Sequence, residues 1–202
     1  MKETTSKLVG FCAIGIGLIS ASLMPLPALS VERNCDTEIH VDCGSTPNAV
    51  FAERNESEQP RLWVVFVQNN QVFFTVSNDL GISYIEPVAV NSTAEKIYTN
   101  GENRPKVAVG KKGEIYISWT KKTKGRYFGE IRFSRSLDQG KTFSDPVTIN
   151  NDGLLTSHRF ESLHVAESGK IYIAWLDKRD QLAVREAGGE YLGAALYYSV
   201  SN

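Results

Sequence analysis

The chain has 202 residues, of which 42% are hydrophobic and 22% are charged, and its formal net charge is −1. This composition is that of an ordinary globular protein with enough apolar side chains for a core, and it excludes an intrinsically disordered chain. The balanced charge also excludes the basic surface that a nucleic-acid-binding protein needs, so no nucleic-acid partner is expected.

Residues 1–30 have the pattern of a secretory signal peptide. Lys2 and Lys7 precede an apolar run over residues 8–23, and small residues stand before a cut after Ser30. A retained membrane anchor is the alternative, but an anchor needs ~20 apolar residues, and this run is shorter and is followed by prolines. The sequence therefore predicts export, to the periplasm or the medium, with no membrane contact after cleavage.

An irregular leader, residues 31–47, carries the two cysteines that remain after cleavage. Cys35 and Cys43 form an even pair in an exported chain, for which a disulfide is expected. The competing interpretation is a metal site completed by His40, but a structural zinc ion usually takes four protein ligands. We expect the disulfide, no metal and no cofactor.

Over residues 48–202, short strands with period-two alternation recur in the same order, separated by turns that contain glycine. Four antiparallel strands per unit predict an all-β fold, a partial β-propeller of about two and a half to three blades. The blades are expected at about 48–91, 104–149 and 160–202. A β-sandwich is the alternative, and the near-constant spacing of the units favours the propeller.

Two turn motifs of the Asp-box type mark the repeat, one reading S-x-D-x-G-x-S-Y and the other S-x-D-x-G-x-T-F. In such a box the Ser and Asp oxygens bind turn amides, the Gly supplies positive φ, and the aromatic ring packs under the turn. The residues expected to build the boxes are Ser77, Asp79 and Gly81 in the first, and Ser136, Asp138, Gly140, Thr142 and Phe143 in the second.

The last predicted strand runs toward a third box, and the sequence stops at Asn202. Propellers typically have ~4 to 8 blades, and an open stack of blades leaves bare strand edges. We therefore expect either that the native protein is longer or that copies self-associate through their open blade edges. A longer protein is favoured, because an evolved domain should not stop within a turn motif.

The turns of an antiparallel meander alternate between the two ends of a blade, so the loops from second to third strand and those between blades share one face. Arg104 and Arg159 each come directly before an innermost strand on this face. The planar fork of arginine suits capture of a carboxylate or phosphate. The alternative is that each arginine ties neighbouring blades together through an acidic residue. Because ligand sites form where loops converge, this is the predicted functional face.

A second charged segment on this face, residues 177–180, follows a strand and opens a long loop. Asp177 and Arg179 are its candidate site residues, the alternative being surface salt bridges. His158 is a candidate general base, ligand or hydrogen-bonding prop.

With these boxes and blades, residues 48–202 resemble the sialidase superfamily, in particular bacterial exo-α-sialidase-like proteins with BNR (Asp-box) repeats. Longer members, which continue into further blades, contain segments similar to residues 101–105, 129–134, 158–160 and 175–180. The resemblance implies an acidic sugar held by three arginines, a tyrosine nucleophile assisted by a glutamate, and an aspartate that protonates the leaving group.

On this chain the resemblance implies that Arg104, Arg159 and Arg179, with His158, bind substrate and that Asp177 is the general acid. It leaves two hypotheses. The first is an exported glycoside hydrolase acting on sialic acid or another acidic glycan. The second is a non-catalytic propeller that binds glycan or protein, or an inactive fragment of a longer propeller. Convergent arginines beside a carboxylate favour the hydrolase, and scattered, salt-bridged arginines favour the binding protein.

Overall fold

A computed structural model describes residues 33–52, 60–191 and 193–202. The predicted signal peptide lies outside these ranges. Within them, no helix is long and apolar enough to cross a membrane. The strands are β1 (Ser45–Ala52), β2 (Arg61–Gln68), β3 (Gln71–Ser77), β4 (Val88–Ala89), β5 (Lys106–Val109), β6 (Ile115–Lys122), β7 (Gly129–Ser136), β8 (Val147–Thr148), β9 (His158–Val165), β10 (Ile171–Asp177) and β11 (Ala195–Val200).

These strands form three antiparallel sheets, each built from consecutive strands in a meander. Blade 1 is β1-β2-β3-β4 and blade 2 is β5-β6-β7-β8, while the described part of blade 3 is β9-β10-β11. The innermost strands β1, β5 and β9 contact one another in that order. The predicted fold class, a partial β-propeller of four-stranded antiparallel blades, is confirmed.

The interface between blades 1 and 2 is the larger of two apolar clusters. Blade 1 contributes Trp63, Val65 and Phe74, and blade 2 contributes Ile117 and Trp119, all of them buried. Because side chains alternate between the faces of a strand, β6 buries Ile117 and Trp119 against blade 1 and Tyr116 against blade 3. Burying each large apolar side chain contributes roughly 1.5–3 kcal/mol.

The second cluster joins blades 2 and 3. Tyr116 and Ile131 of blade 2 meet Ile173 and Trp175 of blade 3. Trp119 and Trp175 occupy matching strands, and each indole N–H donates to a carboxylate, that of Glu95 at 2.6 Å and that of Asp177 at 2.8 Å. Each tryptophan is therefore both an apolar interblade residue and a hydrogen-bond donor to an acidic side chain.

Side-chain oxygens close the second of the two turns that the sequence predicts as Asp boxes. Ser136 Oγ accepts from the Gly140 amide at 2.8 Å and donates to Asp138 Oδ1 at 2.7 Å. Asp138 in turn accepts from the amide and the hydroxyl of Thr142 at 2.9 and 2.6 Å. Gly140 has φ +86°, where other residues are strained. Its Cα also lies so close to the Phe74 ring that a Cβ would overlap it.

The first box repeats this geometry around Asp79. Ser77 Oγ accepts from the Gly81 amide at 2.7 Å, and Asp79 accepts from the Ser83 amide at 2.8 Å. Hydrogen bonds from Ser83, then Ser77, lower the pKa of Asp79 to about 2. Hydrogen bonds from Ser136 and Thr142 hold the pKa of Asp138 lower still.

Replacing Ser136 by alanine is expected to lower the free energy of unfolding by about 1–3 kcal/mol, because the buried Gly140 amide loses its acceptor. Urea unfolding followed by tryptophan fluorescence measures this change. Ser168→Ala, on an exposed turn, is the matched control and should change stability by less than about 0.5 kcal/mol. Equal effects of the two substitutions would show that the box does not depend on its serine.

The leader lies directly against blade 1. A disulfide joins Cys35 to Cys43, and Cys43 is the last residue of a short 3-10 helix over Val41–Cys43. His40 lies directly before this helix. Gln68 at the end of β2 donates to the carbonyls of Cys35 and Glu38 at 3.3 and 2.7 Å, and it accepts from the His40 amide at 3.2 Å. The side chain of one strand residue thus ties the leader to the blade.

Two parts of the chain differ from the sequence prediction. The long loop predicted after Asp177 contains an α-helix, α1 (Arg179–Glu186), with an acid in its first turn and an arginine in its last, as the helix dipole favours. Strand β9 begins at His158, where a loop was predicted. In the pairing of β9 with β10, Ala174 lies opposite Ser162 but Leu176 lies opposite Arg159, so the register shifts between these two pairs. This irregularity interrupts the alternation of side chains by which the first residues of β9 could be recognised as a strand.

Candidate functional site

A cleft of about 270 Å³ opens on the predicted functional face, between blades 2 and 3. One wall is the β6–β7 loop, residues 126–128, and the opposite wall is α1 with the preceding Lys178. The floor is the link between the blades at Thr156 and Ser157, which are both buried. The lining residues are Arg126, Tyr127, Phe128, Thr156, Ser157, Arg159, Lys178, Gln181, Leu182 and Arg185.

The charge of this cleft is uniformly positive. Four cations line it, namely Arg126, Arg159, Lys178 and Arg185, and no described lining residue is a carboxylate. Among the described residues, none of these four makes a salt bridge. Lys178 precedes the helix and Arg185 lies seven positions later, so both fall on one helix face with Gln181. Four unneutralised cations around one cavity produce a positive potential that attracts anions.

Aromatic rings surround Arg159. Its guanidinium carbon lies 5.2 Å from the ring centroid of Tyr98, 5.1 Å from that of Tyr127 and 4.7 Å from that of Phe160. Its Nε donates to Ser157 Oγ at 3.3 Å. Cation–π contacts fix the side chain without cancelling its charge, so Arg159 is held in place and keeps N–H donors for a ligand.

Tyr127 projects from the loop wall with 53% of its surface exposed. Tyr127 has φ +65°, in the left-handed region that non-glycine residues rarely adopt. Arg126 stacks over its ring at 4.9 Å and donates to its hydroxyl at 3.1 Å. An exposed ring beside cations offers an apolar face and a polar tip to the same ligand.

A separate charge cluster lies beneath the cleft, with Asp177 at its centre. The Asp177 side chain is completely buried. Its Oδ2 accepts a hydrogen bond from Trp175 Nε1 at 2.8 Å. The same oxygen accepts from Arg179 Nε at 2.9 Å and from Arg179 Nη2 at 2.7 Å. The other oxygen, Oδ1, accepts from the Arg179 backbone amide at 2.8 Å. In each of these hydrogen bonds the carboxylate is the acceptor.

His158 and Asp152 extend this cluster. His158 Nδ1 lies 2.8 Å from the Gly129 carbonyl and Nε2 lies 2.8 Å from Asp152 Oδ2. Both partners are oxygens, and the Asn150 amide nitrogen also lies 3.4 Å from Nδ1, so the ring is held on two sides by polar groups. Burial acts to raise the pKa of Asp152, but the hydrogen bond and charge of His158 and the charge of Arg179 outweigh it and lower that pKa.

Arg179 closes the cluster. Its Nε lies 3.1 Å from Asp152 Oδ2, and its guanidinium stacks on Tyr197 at 4.1 Å. The hydrogen bonds that Arg179 donates to Asp177 raise the pKa of Arg179 above its usual value. The ligand atoms of Asp152, His158 and Asp177 lie within 4.8 Å of one another, as for a metal site. The guanidinium of Arg179 already bridges the two carboxylates, so the residues suit a salt-bridge cluster better than a metal cation.

The residues predicted to form one site lie in different places in the structure. Arg159 lines the cleft, while Arg179, His158 and Asp177 belong to the buried cluster. Arg104 does neither: its Nη2 lies 3.7 Å from Glu102 Oε1, and its side chain is 39% exposed. The general-acid role of Asp177 stays a prediction, and it would require a proton on a carboxylate that no solvent reaches.

Sequence reasoning missed Arg185, Gln181 and Asp152. The first two were hidden because the helix that presents them was assigned to a loop, although Gln-Leu-Ala-Val-Arg-Glu is a run dominated by good helix formers. Asp152 stands alone in a polar connection, and only the fold brings it to His158. No local pattern indicates that contact.

Glu161 is a further buried acid, at the start of blade 3. Its Oε2 accepts from Thr120 Oγ1 of blade 2 at 2.6 Å, whereas Oε1 is buried without a protein partner among the described residues. Burial, opposed by the Thr120 hydrogen bond and the charge of Lys106, raises the pKa of Glu161 to about 7. The side chain is 2% exposed and does not line the cleft.

Comparisons with known proteins identify the fold alone. No protein-family model and no curated protein sequence matches the chain. A Penicillium chrysogenum α-L-arabinanase, solved with arabinobiose, aligns at TM-score 0.51 and 20% identity over 81% of this chain and 47% of its own. A Dyadobacter fermentans protein of unknown function aligns at TM-score 0.45 and 16% identity over 62% and 33%.

The NanB sialidase of Streptococcus pneumoniae aligns at TM-score 0.37 and 10% identity, over 63% of this chain and 28% of its own. The chain thus spans less than half the length of each of these structures. The similarity to the arabinanase agrees with the propeller architecture, and the two weaker alignments add nothing to that conclusion.

Proposed function

We propose that this exported partial propeller binds an acidic glycan, such as one ending in sialic acid or a uronic acid, in the cleft between blades 2 and 3. The observation that carries the proposal is the lining of the cleft, where four cations and an exposed tyrosine face one cavity without a described carboxylate. Guanidinium groups bind carboxylates through charge-assisted, bidentate hydrogen bonds. A sugar ring also presents apolar C–H faces that pack on an aromatic side chain.

The arrangement divides recognition between the two walls. Arg126 and Tyr127 offer a charge and a ring on one side, and Lys178 and Arg185 offer charges from the helix on the other. The amide of Gln181 donates to the Tyr191 carbonyl at 2.7 Å and anchors the helix wall to the segment after it. We expect the acidic group of the ligand to lie between the walls and a sugar ring to lie over Tyr127.

Binding without hydrolysis is favoured because no described residue that lines the cleft is an Asp or a Glu. A glycosidase needs a carboxyl group that can reach the glycosidic oxygen. Asp177 is buried beneath the cleft in contact with Arg179, and no lining residue within the described ranges is acidic. The fold shared with an arabinanase supports a saccharide ligand but does not supply the missing acid. Hydrolysis of sialosides or other acidic glycans is therefore the second candidate.

Titration calorimetry on the mature protein, residues 31–202, tests the proposal with 3′-sialyllactose and trigalacturonic acid against lactose. We expect the two acidic sugars to bind at least about tenfold more tightly than lactose, and the affinity to fall as NaCl is raised from about 0.05 to about 0.5 M, because the attraction is screened. Equal affinity for lactose would contradict the proposal.

Arg185→Gln is expected to weaken binding of the acidic sugars about tenfold, the loss of one charge-assisted hydrogen bond. Arg135→Gln is the matched control, because Arg135 is exposed but lies outside the cleft, and it should leave affinity unchanged. The same samples are incubated with 4-methylumbelliferyl sialoside. Release of the fluorophore that Arg185→Gln reduces and Arg135→Gln does not would replace the binding role with a hydrolase.

A further inference from the structure

A second cleft, of about 350 Å³, opens on the same face of the propeller between blades 1 and 2. One wall is the β2–β3 turn at residues 69–70, the other is the end of β6 at Lys122, and the link between the blades contributes Thr99. The cleft between blades 2 and 3 is built from the same parts one blade further on. Lys122 and Lys178 each follow the tryptophan of a matching strand by three residues. The propeller repeat therefore places two equivalent clefts side by side.

The chemistry of the second cleft differs from that of the first. Among its described lining residues Lys122 is the only cation, and none is a carboxylate or an aromatic residue. The walls carry the amides of Asn69 and Asn70, which are both exposed, and the hydroxyl of Thr99. Amides and hydroxyls both donate and accept hydrogen bonds, as the hydroxyl groups of an uncharged sugar do. This second cleft, called the amide cleft below, therefore suits the neutral part of a glycan.

The turn wall of the amide cleft is held in one shape. Asn69 and Asn70 have φ +51° and φ +59°, as the two central residues of a type I′ hairpin require. Cys35 and Cys43 also line the cleft, and Gln68 binds the leader that their disulfide closes. Because turn and leader are fixed by the fold, a ligand has little to order when it binds.

Tyr98 joins the two clefts. Its ring centroid lies 5.1 Å from Lys122 Nζ of the amide cleft and 5.2 Å from the guanidinium carbon of Arg159 in the cleft between blades 2 and 3. The two cations thus contact the same aromatic ring, which is itself buried. A ligand whose acidic group is held at Arg159 is therefore close enough to extend past Tyr98 into the amide cleft.

We propose that the two clefts form one groove, in which the amide cleft binds neutral sugar units that adjoin the acidic sugar of the same glycan. The groove depends on the proposed function, since the acidic sugar is taken to bind between blades 2 and 3. It defines the ligand more closely, as an oligosaccharide with an acidic end and a neutral continuation, whereas a free acidic monosaccharide would fill only half of the groove.

Titration calorimetry with sialosides of increasing length tests this groove. The probes are methyl α-sialoside, which has the acidic ring alone, then 3′-sialyllactose, and then 3′-sialyl-lacto-N-tetraose, whose neutral part is longer. We expect the affinity to rise at least about tenfold from the first probe to the last, the contribution of one or two further hydrogen bonds. Equal affinities for the three probes would overturn the groove and leave the proposed function intact.

A double variant locates the gain in affinity. Asn69→Gly combined with Asn70→Gly removes both amides from the wall, and glycine adopts the same turn conformation. This variant should bind methyl α-sialoside as the wild type does and lose most of the gain with length. Asn78→Gly, at an exposed position in the turn at the opposite end of blade 1, is the matched control and should keep the whole gain. A full gain in the double variant would place the neutral sugars elsewhere and overturn the groove.

Arg185→Gln separates the groove from the proposed function. It should weaken all three probes by the same factor, because Arg185 lines only the cleft that holds the acidic sugar. Absence of binding by every probe, or affinities that Arg185→Gln leaves unchanged, would overturn the proposed function and the groove with it.

Discussion

Asp177→Ala is expected to lower the free energy of unfolding by about 3–5 kcal/mol, the largest effect we expect of a single substitution in this chain. The substitution leaves the indole N–H of Trp175, the guanidinium of Arg179 and the Arg179 amide without their shared acceptor. All three groups donate hydrogen bonds to the Asp177 carboxylate, and the Asp177 side chain is fully buried. A domain of ordinary stability holds only ~5–15 kcal/mol in total, so a large part of the chain's stability rests on this carboxylate.

Urea unfolding monitored by tryptophan fluorescence measures the loss. Asp145→Ala is the matched control, because Asp145 is an exposed acid and its removal should change stability by less than about 0.5 kcal/mol. A loss near that of the control would mean that the cluster contributes little to folding.

Glu161→Gln is expected to remove a pH dependence from the stability of the protein. The pKa of Glu161 is raised from 4.5 to about 7 by burial. Between these values the folded protein holds a proton that the unfolded chain has lost. The stabilisation is therefore fully present below about pH 4.5 and is lost as the pH rises to about 7, by about 3 kcal/mol in all.

Unfolding free energies of the wild-type protein and Glu161→Gln at about pH 5 and about pH 8 test this prediction. The advantage of the variant should grow by about 2.5 kcal/mol between the two pH values, because glutamine keeps the shape of the acid without its charge. Glu167→Gln, at an exposed turn, should show no such change. A constant difference between wild type and Glu161→Gln would mean that Glu161 does not titrate in this range.

The blades and the two hydrogen-bonded Ser-Asp-Gly turns could be predicted from the sequence because both depend on short-range patterns. The alternation of apolar residues in Ile115–Ile117 and Ile171–Ile173 fixes strands, and the Ser-Asp-Gly spacing of the boxes reflects hydrogen bonds within a single turn. These local patterns can be recognised in the sequence without knowing which residues of neighbouring blades they contact. The fold class could be inferred from them directly.

The ligand cleft could not be predicted in the same way, because it depends on contacts between distant segments. Arg159 and Arg179 look alike in the sequence, yet aromatic rings surround one and buried carboxylates bind the other. The helix α1 carries Arg185 into the cleft, whereas an irregular loop was predicted for that segment. Residues 181–186 are mostly good helix formers, and the prediction of a long loop did not take that local propensity into account.

The proposed function depends most on where an acidic sugar binds. The arginine Nε–Hε region of a ¹⁵N-resolved NMR spectrum, assigned with single substitutions and titrated with 3′-sialyllactose, measures this directly. We expect the resonances of Arg126, Arg159 and Arg185 to shift together, and those of Arg132 and Arg135 on β7 to stay in place. Shifts confined to arginines outside the cleft, or equal shifts of all arginines, would contradict binding in the cleft.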